Sequence, residues 1–156
     1  MAGEATSAPR PVRKQRLRLW IRLLLARQVV EAELRKRLRD RFDMTLPQFD
    51  VMAALDRNPG GMMMTSLSRA LMVSNGNITG IIDRLIAKGY VARETFAGDR
   101  RRFIVNLTPA GLDRFRNVAG MHESWVDELL STIDEDKVRN ALSNFDEVGR
   151  AADPRA

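Results

Sequence analysis

The stretch from Thr65 to Gly89 constrains the fold more than any other part of this 156-residue chain. Thr65 caps an apolar pattern, Leu67, Ala70 and Leu71, that fits about two turns of helix. Ser74 opens a second pattern with Ile78, Ile81, Ile82, Leu85 and Ile86 on one side, closed by the cation and glycine of Lys88-Gly89. Two helices separated by about three residues predict a helix-turn-helix. On a wheel at 100° per residue, Ile78, Ile82 and Leu85 turn inward while Gly76, Gly80, Asp83 and Arg84 turn outward, flanked by Asn77 and Thr79. Glycine inside a helix loses roughly 0.5 to 1 kcal/mol relative to alanine, so two at i, i+4 on one outward face call for a reason. Close approach of the helix backbone to another molecule is one, and a merely weak surface helix is the other.

The flanking segments complete an architecture. Before the motif, Met62-Met63-Met64 reads as a short strand packed against a core, with a soft-metal surface as the alternative. After it, Tyr90 to Phe96 and Arg102 to Leu107 alternate as strands, and Ala97-Gly98-Asp99-Arg100-Arg101 between them has the Gly and Asp of a hairpin tip. Further out lie helices. Leu17, Ile21, Leu24, Gln28, Leu34, Leu38 and Phe42 mark an N-terminal helix of about six turns, with Trp20 and Leu25 widening its stripe. Pro47, Phe49, Val51, Met52 and Leu55 give a shorter one, ended by Asn58-Pro59-Gly60-Gly61. Thr108-Pro109 opens a long helix through Leu112, Phe115, Val118, Trp125, Val126 and Leu129, and Asp134 caps a last one with Val138, Leu142, Phe145 and Val148.

The expected fold is mainly α with a small β-hairpin wing (α+β), a winged helix-turn-helix between N- and C-terminal dimerisation helices. By residue, 1–16 form a flexible basic arm, 17–44 the N-terminal dimerisation helix, and 45–107 the winged helix-turn-helix. Residues 108–150 form the C-terminal dimerisation helices and 151–156 a frayed tail. Dimerisation is expected because the central unit cannot cover the apolar faces of both flanking regions, which would readily intertwine with those of a second copy.

Charge and composition narrow the function. The formal net charge is +6. Residues 1–41 hold twelve basic and four acidic side chains, and residues 108–156 hold six and ten, so a basic front is joined to an acidic rear. That asymmetry suits a polyanion such as nucleic acid, with a solvated surface as the plain alternative. There is no cysteine and one histidine, His122, which removes disulfides, thiolate nucleophiles and Cys-ligated metals. With no phosphate-cradling glycine loop and no metal-ligand cluster, neither an enzyme nor a cofactor or metal is expected. Residues 19–26 are the most apolar and Arg22 interrupts them, so no signal peptide or membrane span is expected, and a cytoplasmic location is.

The chain resembles the MarR family of bacterial regulators. Thr45-Leu46-Pro47-Gln48-Phe49-Asp50-Val51 is similar to the family's second-helix opening, and the run from Leu71 through Ser74-Asn75-Gly76-Asn77-Ile78-Thr79-Gly80 to Asp83-Arg84-Leu85 to its recognition helix. Gly98-Asp99-Arg100-Arg101 with Val105-Asn106-Leu107-Thr108-Pro109-Ala110-Gly111 resembles its wing and exit. The resemblance spans residues 17–150. It implies a homodimer that binds double-stranded DNA at a palindromic operator, usually as a repressor released by a small ligand. The DNA-binding set so implied is Thr65, Ser66, Ser74, Asn75, Gly76, Asn77, Thr79, Gly80, Arg84, Asp99, Arg100 and Arg101, with Arg101 in a minor groove and Asp99 ordering the turn. A solvated charged turn is the alternative at the wing. The absence of cysteine excludes the thiol-based sensing of some members.

The resemblance also implies an effector site between the terminal helices and the DNA-reading unit. Trp20, Arg22, His122 and Trp125 are its candidates, rings for stacking and Arg22 for a carboxylate or phosphate, which fits an aromatic carboxylate or its acyl-CoA thioester. Core or interface packing is the alternative for each. The rival function is a winged-helix protein-protein interaction module that never touches DNA.

Overall fold

The computed structural model describes residues 10–96 and 99–152, and the side chains of 11–95, 103–151. The elements in order are α1 (Arg10–Phe42), α2 (Leu46–Asp56), β1 (Met62–Met63), α3 (Met64–Ala70) and α4 (Asn75–Ala87). They are followed by β2 (Val91–Phe96), β3 (Asp99–Leu107), α5 (Pro109–Leu130) and α6 (Glu135–Ala152). The strands form one antiparallel sheet in the order β1-β3-β2. The chain divides into two units, residues 1–122 and 123–156.

In the first unit, local chemistry sets most element ends. Thr45 and Gln48 form a reciprocal capping box at α2, Thr45 Oγ1 accepting from the Gln48 N–H (3.3 Å) and Gln48 Oε1 from the Thr45 N–H (3.0 Å). Ser74 caps α4 by accepting from the Asn77 N–H. The helix stops because Gly89 takes φ +73°, which lets the Gly89 and Tyr90 N–H groups reach back to the Ile86 and Leu85 carbonyls. Thr108 starts α5 by accepting from the Gly111 N–H while donating to the Gly89 carbonyl. Gly111 is there because a Cβ would lie 1.9 Å from the Tyr90 carbonyl oxygen, so only glycine lets α5 pass this close to the strand's start.

The core of this unit is built from α1's C-terminal half, α2, α4 and the strands. Leu38, Val51, Met52, Leu67, Ile78, Ile82, Leu85 and Val105 are fully buried. The end of α1 is held by two cations aimed at its free carbonyls, as the helix dipole favours. Lys88 Nζ donates to the Asp43 carbonyl (2.7 Å), and an Arg114 amino group donates to the Phe42 carbonyl (2.6 Å) with its guanidinium over the Phe42 ring.

Four expectations need correction. Helix α1 begins at Arg10, not Leu17, since Pro11 sits in its first turn, where its missing N–H leaves no bond unmade. Thr65 lies inside α3 and does not cap it; Met63 occupies the cap position with no side-chain bond, because Met62 and Met63 are paired to Val105 and Ile104 as a third strand. Strand β3 starts at Asp99 opposite Phe96, so Asp99, Arg100 and Arg101 belong to the strand and only Ala97 and Gly98, outside the described residues, link the two. Helix α6 runs to Ala152, past the expected frayed boundary.

In the second unit, Asp134 caps α6, its Oδ1 accepting from the Lys137 N–H (3.0 Å). Hydrogen bonds from the Lys137 side chain and backbone hold the Asp134 carboxyl below its ordinary range. Leu130, Ile133, Val138, Leu142, Phe145 and Val148 are all exposed. Among the described residues no helix is long and apolar enough to cross a membrane.

Candidate nucleic-acid interface

The outward face of α4 is polar and open. Asn75, Gly76, Asn77, Thr79 and Arg84 are exposed, and Gly80 is half-buried. Neither Gly76 nor Gly80 has a positive φ, and a Cβ at either would meet no atom within 4 Å. Nothing within the described chain therefore requires glycine at these two positions, in contrast to Gly111. Arg84 makes no side-chain hydrogen bond or ion pair among the described residues. Thr79 donates to the Asn75 carbonyl (2.9 Å), which fixes its rotamer and leaves its methyl group and lone pairs outward.

Beside this face the turn from α3 is closed by two hydrogen bonds. Ser68, buried, donates from Oγ to the Val73 carbonyl (2.6 Å), and the Val73 N–H returns to the Ser68 carbonyl. Met72 completes the turn at φ +53° with its side chain 95% exposed. Thr65 is exposed and Ser66 half-buried at the start of α3. The Ser74 hydroxyl, expected as a contact, serves as the cap of α4 and keeps its own proton to donate.

One contact was not legible from the sequence. Asp83, the acid on the outward side of α4, accepts from Arg93 of β2 at 2.6 Å, which couples the helix to the sheet and neutralises a carboxylate beside Arg84. Asp83 and Arg93 are ten residues apart across a helix end, and no local spacing rule joins them. On β3 the backbone places Asp99, Arg100 and Arg101 in the strand at the far end of the sheet, and their side chains lie outside the described residues.

The four effector candidates are dispersed in their surroundings. Trp20 is 57% exposed and Arg22 is also exposed on the N-terminal half of α1. His122 stacks on Phe49, with ring centroids 4.4 Å apart at 23°, and burial there lowers its pKa from the ordinary value. Trp125 is buried. None of the four lines either of two cavities, one of about 420 Å³ at the base of the sheet and one of about 780 Å³ between the end of α5 and the start of α6.

Comparison with known proteins identifies the fold's kin. Residues 42–102 match the model of the MarR family. The HTH-type transcriptional regulator PecS of Dickeya dadantii (strain 3937) is 28% identical over 99 residues, 62% of this chain and 60% of that protein. The chain spans 47% to 60% of the length of the first curated relatives it matches. A crystal structure of a MarR family transcriptional regulator from Silicibacter pomeroyi is 33% identical with TM-score 0.76, over 90% of this chain and 97% of that one. A mutant MarR from E. coli, complexed with operator DNA, shares the fold at 24% identity and TM-score 0.74, over 86% of this chain and 95% of that one. Carrying a helix-turn-helix, a three-stranded wing and flanking helices, and one-third identical to a regulator that it covers almost end to end, this chain belongs to the MarR family of transcriptional regulators.

Proposed function

We propose that the chain is a homodimeric regulator that binds a palindromic operator, usually to repress, with α4 in the major groove and the β2–β3 wing in the adjacent minor groove. The observation that carries this is the outward face of α4, where two glycines stand in open space beside Asn75, Asn77, Thr79 and an Arg84 that has no partner among the described residues. Asn and Arg can read base edges or hold phosphates, Thr suits a phosphate or a thymine methyl, and bare backbone allows the helix to approach. Asp99, Arg100 and Arg101 serve the wing, and Thr65, Ser66 and Ser74 hold phosphates at the helix starts. The operator in the E. coli relative's complex supports the same partner.

The homodimer follows from exposed apolar helix. Leu17, Trp20, Ile21, Leu24 and Leu25 on α1 and Leu142, Phe145 and Val148 on α6 are each more than 40% exposed in one chain. The groove between α5 and α6 is lined by Val126, Leu130, Ile133 and Val138 together with Glu123, Asp127 and Glu135. These acids complement the Arg-rich first half of a second copy's α1. Release by an aromatic carboxylate or its thioester is the remaining part of the proposal. Because Trp20 and Arg22 lie on open surface, a site using them needs the second copy to wall it.

A mobility-shift titration on the DNA upstream of the chain's own gene, across salt concentrations, tests the reading. Several phosphate contacts per subunit make log K fall with log salt at about 0.9 per phosphate neutralised. No shift, or a flat salt response, would contradict DNA binding and favour a protein partner for the same fold.

A further inference from the structure

The turn between α3 and α4 carries a side chain that the fold does not use. Its backbone is closed by the Val73 N–H donating to the Ser68 carbonyl (3.1 Å) and the Met72 N–H donating to the Arg69 carbonyl (3.3 Å). This pair of bonds ends a helix through one left-handed residue, and Met72 is that residue, at φ +53°. Glycine is usual at such a position because it takes the conformation without a Cβ clash. Methionine accepts the strain and then leaves its side chain 95% exposed, so the turn gains no packing from it.

Neither feature is general in this part of the molecule. Between residues 30 and 129, Met72 and Phe103 are the only large apolar side chains left exposed among the described residues. What lies around Met72 indicates the partner. Exposed positions run from Arg69 through Met72 and Ser74 to Asn77, so the side chain is continuous with the open face of α4. Residues 57–82 contain two arginines, Arg57 and Arg69, and no acid, in a chain that holds 20 acids in all. A surface with positive and neutral polar groups and no carboxylate suits the phosphate backbone of DNA.

The apolar group that DNA offers in its major groove is the C5-methyl of thymine. An unbranched, polarisable thioether with three rotatable side-chain bonds is suited to follow it. We infer that Met72 is a specificity-determining residue, its side chain packed on a thymine methyl at the edge of the groove that α4 enters. The inference rests on the DNA reading above and adds to it a base contact from the turn, apolar where those of α4 are polar. It also accounts for a methionine where the backbone alone would favour glycine.

The experiment measures affinity of the parent, Met72→Gly and Met72→Leu for the DNA upstream of the chain's own gene. Within the footprinted site each thymine is replaced in turn by uracil, which removes only the C5-methyl. The expected result is one position per half-site at which uracil weakens the parent by roughly fivefold, and a loss of similar size for Met72→Gly on unmodified DNA. At that position Met72→Gly should lose nothing further with uracil, and Met72→Leu should keep most of the parent's affinity. Because glycine suits the turn, the melting temperature of Met72→Gly should equal or exceed the parent's, which separates a lost contact from a damaged turn. A Met72→Gly chain that binds as the parent does would overturn the inference and leave the side chain to a protein partner. A loss that multiplies with uracil at every position would overturn it too, since no single methyl is then read. A parent that binds the upstream DNA no more tightly than a duplex of unrelated sequence sinks the DNA reading and this contact with it. Specific binding by the parent with either of the two preceding results sinks the contact alone.

Discussion

The α2–α4 region and the terminal helices place their apolar side chains in opposite ways. In the first, Val51, Met52, Leu67, Ile78, Ile82 and Leu85 are fully buried against one another. In the second, Val29 is 70% exposed, Leu142 61% and Val148 62%. At about 25 cal/mol per Å² the first arrangement is stabilised within one chain, while the second gains nothing until another surface covers it. The same polypeptide thus joins a region whose apolar side chains are covered within one chain to helices that leave theirs exposed.

The sharpest way to break that contrast is on α6. Leu142→Asp with Phe145→Asp changes side chains that one chain leaves in water, so secondary structure should persist. The dimer should weaken by at least roughly 100-fold, as follows from charging two covered apolar positions. Sedimentation showing an undiminished dimer would place the interface elsewhere.

A smaller effect is expected within the first unit. Gly111→Ala puts a Cβ at 1.9 Å from the Tyr90 carbonyl oxygen, backbone against backbone, so the start of α5 must move off the strand. The expected loss is about 1 to 3 kcal/mol in denaturant unfolding. Gly120→Ala, where nothing lies within 4 Å, should stabilise instead, and equal responses at the two positions would contradict the packing described.

The smallest concerns pH. Burial beside Phe49 holds the His122 pKa below its ordinary value of 6.5, so the unfolded chain takes up this proton first as pH falls. His122 therefore contributes stability that is fully present above pH 6.5 and is lost as pH falls toward its folded pKa. Asp50 acts in the opposite sense, because burial first and Glu31 second raise its pKa and favour the protonated, folded form. The variant separates them: His122→Phe should remove the part of the melting-temperature decline that sets in below pH 6.5, and an unaltered pH profile would refute the assignment.

What the sequence disclosed follows the range of the interactions. The ends of α4, the start of α5 and the cap of α6 depend on Ser74, Gly89, Thr108 and Asp134 acting on their immediate neighbours, and each was readable. The start of α1 was not, because the basic residues before Leu17 carry no apolar period although Pro11 suits a first helical turn. The run of Asp99, Arg100 and Arg101 has the composition of a turn; Asp99 pairs with Phe96 of β2, while Arg100 and Arg101 fall at the register shift between Thr95 and Phe96, and β1 owes its strand state to pairing with β3. The outward face of α4 could be drawn on a wheel, whereas the Asp83–Arg93 pair and the cavity at the base of the sheet arise from segments distant in sequence.

The most direct test of the central claim, that α4 presents its bare backbone to DNA, is operator affinity of Gly80→Glu measured beside Gly80→Ala. Alanine should raise stability by about 0.5 to 1 kcal/mol, since helix propensity favours it and no atom opposes its Cβ. The glutamate chain should also fold and dimerise, yet bind operator at least roughly 100-fold more weakly, its carboxylate being set against phosphates at the closest approach. A Gly80→Glu chain that binds operator as tightly as the parent would contradict the account.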